Sequence, residues 1–128
     1  MHSTTFRVRY AETDAMGVAH HSSYVIWFEL GRSDLLWQRG SNYADLEAQG
    51  YYLPVTELGV KYLAPARFGD IITVRTEVEA VRSRSMVFRY EVVKEETKEL
   101  LATGYTRHIC IDKAGRVRVI PEWVRGLL

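Results

Sequence analysis

The chain holds a single cysteine, Cys110, so no internal disulfide can form, and a reducing compartment is expected. Prolines number three in 128 residues, and nowhere do proline, glycine and serine gather into a linker, a repeat or a low-complexity tract. One domain spanning residues 1–128 is therefore expected. No apolar run approaches the roughly 18 residues that a membrane-spanning helix needs. Residues 1–7 do not set a basic region before an apolar one, so no secretory signal is expected and a cytoplasmic location is. Excess charge is also missing. A formal net charge of +1 leaves no global field to attract nucleic acid or an anionic membrane surface, and any phosphate must be recognised locally.

What is present is an ordinary soluble balance, 47% apolar and 26% charged, enough to bury a core. Phe6, Val8 and Tyr10 alternate with Arg7 and Arg9, which predicts a strand with one buried face. Ser22 or Ser23 can cap a helix over 24–39 that Gly40 ends, and a short helix over 43–49 ends at Gly50. The first of these is unusual, because Tyr24, Val25, Ile26, Trp27, Phe28 and Leu30 leave almost no polar face over its first turns, and only the later half, Arg32 to Arg39, turns amphipathic. A helix apolar all round belongs inside a fold or a subunit interface.

Beyond it the pattern is strand after strand: a long bent segment over 51–65, alternation from Ile72 to Ala80 and from Met86 to Val92, and a strand over 100–111. A last strand over 117–120 precedes Pro121, which suits the first position of a terminal helix. Tight connections imply antiparallel pairing. The simplest packing is an α+β fold in which a five- to six-stranded antiparallel sheet wraps one long apolar helix.

Between the first strand and that helix lie Tyr10, Glu12-Thr13-Asp14, Gly17-Val18, His20-His21 and Tyr24, with a second group at Tyr62-Leu63-Ala64-Pro65-Ala66-Arg67-Phe68-Gly69-Asp70. These residues and their order resemble the hotdog-fold acyl-CoA thioesterases, specifically the 4-hydroxybenzoyl-CoA thioesterase-like family. Glu12 stands where many relatives carry aspartate, Met16 where glycine is frequent, and His20 where an aromatic is common. The resemblance implies hydrolysis of acyl-CoA thioesters with Asp14 as the catalytic carboxylate, either attacking the carbonyl or activating water. The amides of His21, Ser22 and Ser23 at the helix mouth would stabilise the oxyanion, with His21 also orienting the carboxylate or the water. Tyr10, Gly17, Val18 and Tyr24 are the expected pocket residues, and Gly17 would let the loop turn sharply.

A turn residue at Asp14, a merely capping imidazole at His21 and packing tyrosines at 10 and 24 are the plainer alternatives. His20 suits a pocket wall or solvent. Adjacent histidines beside two carboxylates invite a metal, yet no further ligand follows at a recognisable spacing, so none is expected. No cofactor is expected either, coenzyme A being part of the substrate.

Arg82-Ser83-Arg84-Ser85 marks a hairpin tip, a solvated turn or a grip for the phosphates of coenzyme A, as basic residues there serve in the related family. Arg67 and Lys61 are weaker candidates, and Cys110 reads as a small buried residue. The family joins protomers edge to edge, and an exposed sheet edge here would need such cover. A homodimer is therefore expected, assembling to a homotetramer. Two other functions share these features: an acyl-CoA-binding protein without turnover, and an enoyl-CoA hydratase or dehydratase. Trp27, Trp37, Tyr51, Tyr52 and Met16 would suit an aromatic or an aliphatic acyl group equally.

Overall fold

The alternating segments pair as antiparallel strands, and the computed structural model describes residues 1–128 throughout. The elements are β1 (His2–Arg7), a 3₁₀ turn (Tyr10–Glu12), α1 (His21–Gln38), α2 (Tyr43–Ala48), β2 (Tyr51–Tyr52), β3 (Val55–Tyr62), β4 (Ile71–Val81), β5 (Ser85–Lys94), β6 (Glu99–Ile109), β7 (Ile111–Asp112) and α3 (Glu122–Arg125). Five strands make the main sheet in the order β1-β4-β5-β6-β3, and β2 pairs with β7 beside it. Ile72, Val74, Thr76, Phe88, Tyr90, Val92, Ala102 and Thr106 line its buried inner face. Irregular register at Val78/Ala80 and at Val92/Val93 marks bulges, which bend strands and help a sheet curl.

Into that curve fits α1, 18 residues long and packed on β4, β1 and β5. Its buried residues Tyr24, Trp27, Phe28, Gly31, Arg32 and Leu35 recur at helical spacing, so burial selects one stripe even along 24–28, where the helix is apolar all round. Ile26, Leu30 and Trp37 on the other side are exposed. Phe28 lies flat on Tyr90, ring centroids 4.3 Å apart and planes 6° from parallel. Gly104 makes room beneath: a Cβ there would stand 2.5 Å from the Phe28 ring and 2.7 Å from the Gly59 carbonyl oxygen. The long helix wrapped by an antiparallel sheet is the expected hotdog arrangement. No helix is long and apolar enough to cross a membrane.

Several boundaries differ from those the sequence predicts. Pairing in β1 ends at Arg7, and Tyr10 lies exposed in the 3₁₀ turn instead of continuing the strand. The segment 51–65 is broken at Pro54, which splits β2 from β3. Cys110 interrupts the strand over 100–111, its amide turned to the Arg84 carbonyl. Residues 117–120 form no strand, only the isolated bridge Ile111↔Val117, and Pro121 caps α3 from outside instead of opening it.

The core also holds a polar chain whose direction can be assigned. Leu53 offers His108 Nδ1 only a carbonyl, at 2.9 Å, so Nδ1 carries the proton and Nε2 accepts from the Thr106 hydroxyl at 2.8 Å. Thr106 in turn accepts from the Tyr90 hydroxyl at 2.6 Å, and Tyr90 accepts from Arg32 at 3.5 Å. The imidazole is thus held neutral. Burial pushes its pKa down to about 4, the Leu53 bond opposing and the Arg32 charge reinforcing.

Two outcomes follow. Gly104→Ala should destabilise the fold by about 1–3 kcal/mol in chemical denaturation, because both obstructing groups are fixed. Between pH 6.5 and about 4 the unfolded chain binds a proton at His108 that the folded chain refuses, so the melting temperature should fall across that window. His108→Gln should flatten that part of the profile.

Candidate active site

The loop before α1 is closed on itself. Thr13 bridges Ala19, the Asp14 amide donates to the Val18 carbonyl at 2.9 Å, and the Gly17 amide donates to the Asp14 carbonyl at 3.0 Å. Gly17 takes φ of +77°, the left-handed conformation this tight return requires. Asp14 serves the turn as well, Oδ1 accepting from the Met16 amide at 2.8 Å. Oδ2 has no partner within the chain. The carboxylate therefore has both a structural oxygen and a free one. It lines an open groove of about 420 Å³ with Met16, Val18, His21, Tyr24, Tyr62 and Leu63.

Two of the expected pocket residues, Val18 and Tyr24, lie in that groove, and two do not. Tyr10 packs edge-on against Phe68 at the surface, ring centroids 5.7 Å apart, because its turn points it away. Gly17 shapes the loop without lining the groove. The Tyr24 hydroxyl accepts from the Ala66 amide at 3.1 Å, and burial raises its pKa. Tyr62 was not expected in the wall. It meets Tyr24 edge to face at 5.0 Å and donates to the His21 carbonyl at 2.7 Å, which pins the end of β3 to the helix mouth. Its signal was the Tyr62–Asp70 group itself, which the resemblance flagged without giving it a place.

At that mouth the cap is His20, not Ser22 or Ser23. The Ser22 amide donates to His20 Nδ1 at 3.2 Å, and the Ser23 amide donates to the His20 carbonyl at 2.9 Å. Of the three amides expected to face an oxyanion, two are thus occupied, and only that of His21 lacks an internal acceptor. The Ser23 hydroxyl is buried and donates to the Glu12 carbonyl at 2.9 Å. The rings of His20 and His21 lie 4.0 Å apart, both exposed, and nowhere do three His, Cys, Asp or Glu side chains converge as metal ligands would.

The Arg82-Ser83-Arg84 hairpin is where the sequence places it, and its three side chains are exposed. Its backbone is fixed: the Ser83 carbonyl accepts from Ile120, that of Arg84 from Cys110, and that of Arg82 from the Arg125 guanidinium. It is not beside Asp14. The Asp14 loop bridges Arg67 just before β4 begins, whereas the hairpin follows the end of β4. A strand of that length separates the two by about 30 Å at ~3.3 Å per residue.

Known proteins with this geometry are informative. The profile of the Thioesterase-like superfamily matches residues 8–128. The crystal structure of the hypothetical protein TT1821 from Thermus thermophilus superposes with a TM-score of 0.93 at 45% identity, covering 100% of this chain and 97% of that one. The DHNA-CoA thioesterase from Staphylococcus aureus superposes with a TM-score of 0.87 at 38% identity, covering 97% and 86%. The acyl-CoA thioester hydrolase YbgC of Escherichia coli O157:H7 is 34% identical over 116 residues, 88% of this chain and 86% of that protein.

The cap assignment has a direct test. His20→Ala should cost about 0.5–2 kcal/mol in denaturant unfolding, and His20→Asp should recover most of it. Equal losses in both variants would mean that the ring acts through packing.

Proposed function

The chain belongs to the Thioesterase-like superfamily, and from that premise we propose that it hydrolyses acyl-CoA thioesters to a free carboxylic acid and coenzyme A. The observation that carries the reading is the Asp14 carboxylate, tied through Oδ1 and open through Oδ2, at the mouth of a helix whose first amide is unpartnered. A carboxylate so placed attacks the thioester carbonyl or takes a proton from water that does. In direct attack a C–O bond forms to Asp14 as the C–S bond breaks, and water then cleaves the anhydride, giving the free acid, restoring the carboxylate and supplying the thiolate's proton. In the other route the water oxygen bonds to the carbonyl carbon, the C–S bond breaks, and the proton Asp14 took from that water passes to the leaving thiolate. The negative oxygen formed on the way is met by the His21 amide and the positive end of α1. One such donor is worth about 2.7–4 kcal/mol of transition-state stabilisation. A location in the cytoplasm accords with Cys110 being a single free, buried thiol.

Arg82 and Arg84 grip the nucleotide phosphates in this reading, and the distance along β4 argues that they do so for a second copy's site. The outer edge of β3 is unpaired within the chain. Two copies joined antiparallel along it set the Tyr62 end of one against the Val55 end of the other. Val55 lies by His108 of β6, and Ile109 by Ser85 beside the hairpin. Each Asp14 then works at the end of the dimer that carries the partner subunit's hairpin. The exposed apolar side of α1, Ile26, Leu30 and Trp37, would serve a dimer of dimers.

Thiol release from a panel of acyl-CoAs tests the reaction. Asp14→Asn should lower kcat by about a hundredfold or more while the protein still folds. Binding without turnover in the native chain would favour a carrier, and hydration of an enoyl-CoA a lyase. Mixing subunits tests the geometry. Asp14→Asn protein and Arg82→Glu/Arg84→Glu protein, each impaired alone, should regain turnover when mixed, since one site per mixed dimer is then intact. No recovery once subunits have exchanged would mean that the hairpin does not serve the partner subunit's site.

A further inference from the structure

Outside the reacting groups, one ionisable side chain is buried at the root of the loop. Glu12 is 7% exposed, and both its carboxylate oxygens are used. Oε1 accepts from the Arg9 amide at 2.7 Å, and Oε2 accepts from the Trp27 indole at 2.7 Å and from the Arg9 guanidinium at 3.4 Å. Its main-chain carbonyl accepts twice more, from the His20 amide at 2.8 Å and the Ser23 hydroxyl at 2.9 Å. Residues 13–19 therefore hang between Glu12 and His20, and those two residues are bonded to each other. Trp27 itself is 1% exposed and packs against the rings of Tyr24 and Phe6.

We propose that Glu12 is the positioning residue of this site, an anionic peg that sets where Asp14 stands relative to the mouth of α1. The proposal rests on the reading of Asp14 as the catalytic carboxylate. Three N–H donors converge on the Glu12 side chain, so a neutral amide cannot replace it: glutamine brings one acceptor oxygen and turns an NH₂ toward a donor. Length matters equally, since aspartate is one methylene short of the indole. Burial by itself raises the Glu12 carboxyl pKa, but the bonds from Arg9 and Trp27 outweigh it and hold the group below its ordinary value, ionised wherever the site works. A shift of the peg is passed through one intervening residue to Asp14, and misplacement by about 1 Å costs on the order of a hundredfold in rate.

The test is steady-state kinetics on the full chain, read as kcat against KM well below each variant's melting temperature. Glu12→Gln should lose about 10- to 100-fold in kcat with KM changed by less than about twofold. Trp27→Phe, which removes a single donor, should lose less, and it serves equally if Glu12→Gln does not fold. In the Asp14→Asn background, Glu12→Gln should subtract nothing further from the residual rate, because its whole effect passes through Asp14. A kcat within about threefold of the parent in Trp27→Phe and Glu12→Gln overturns the proposal, as does a full additional loss in that background. If Asp14→Asn alone keeps its turnover, the catalytic reading of Asp14 falls instead, whatever Glu12 does.

Discussion

Everything in this fold depends on how closely α1 can approach the sheet. Phe28 stacks flat on Tyr90, and two glycines, Gly104 on β6 under the Phe28 ring and Gly31 on the helix over Val74 and Thr76, remove the side chains that would hold the layers apart. Interiors are packed to the density of organic crystals, so the spacing admits little adjustment. With the helix fixed at that depth, its first turn emerges at the rim of the sheet where β3 ends and β4 begins. Tyr62 fastens the rim to His21, Tyr24 fastens it to Ala66, and Glu12 fastens the loop to Trp27. The site is a by-product of a packing distance.

That dependence explains which parts could be read from the amino-acid order. Alternation along 72–80 and 86–92 is a local signal and maps directly onto β4 and β5, and the apolar run after Ser23 maps onto α1. Asp14 and Val18 share a groove with Tyr24 because all three flank one loop and one helix end. What failed did so for physical reasons. Tyr10 continues an alternating pattern, yet the capping contact between Arg9 and Glu12 starts a 3₁₀ turn that no periodicity announces. Serine is a better helix cap than histidine in general, and here the imidazole takes the place because the helix already begins at His21, which puts both serines inside its first turn.

The separation of Asp14 from the arginine hairpin lay further out of reach. Both are visible as motifs, but their distance follows from the bridge that sets the Asp14 loop beside Arg67 at the start of β4, a pairing between remote segments. Likewise, nothing in the spacing of Arg32, Tyr90, Thr106 and His108 marks them as one chain of hydrogen bonds. Such networks specify an interior without being written in any one element.

The divided carboxylate of Asp14 has a consequence of its own. A free carboxylate is symmetric, and its two oxygens exchange places by rotation about a single bond. The Met16 amide breaks that symmetry: whichever oxygen it holds, the other is left without a partner inside the chain. The rotational freedom of this side chain is therefore spent when the loop folds, before any ligand arrives. A four-residue turn thereby does with one backbone amide what many sites need a second side chain to do.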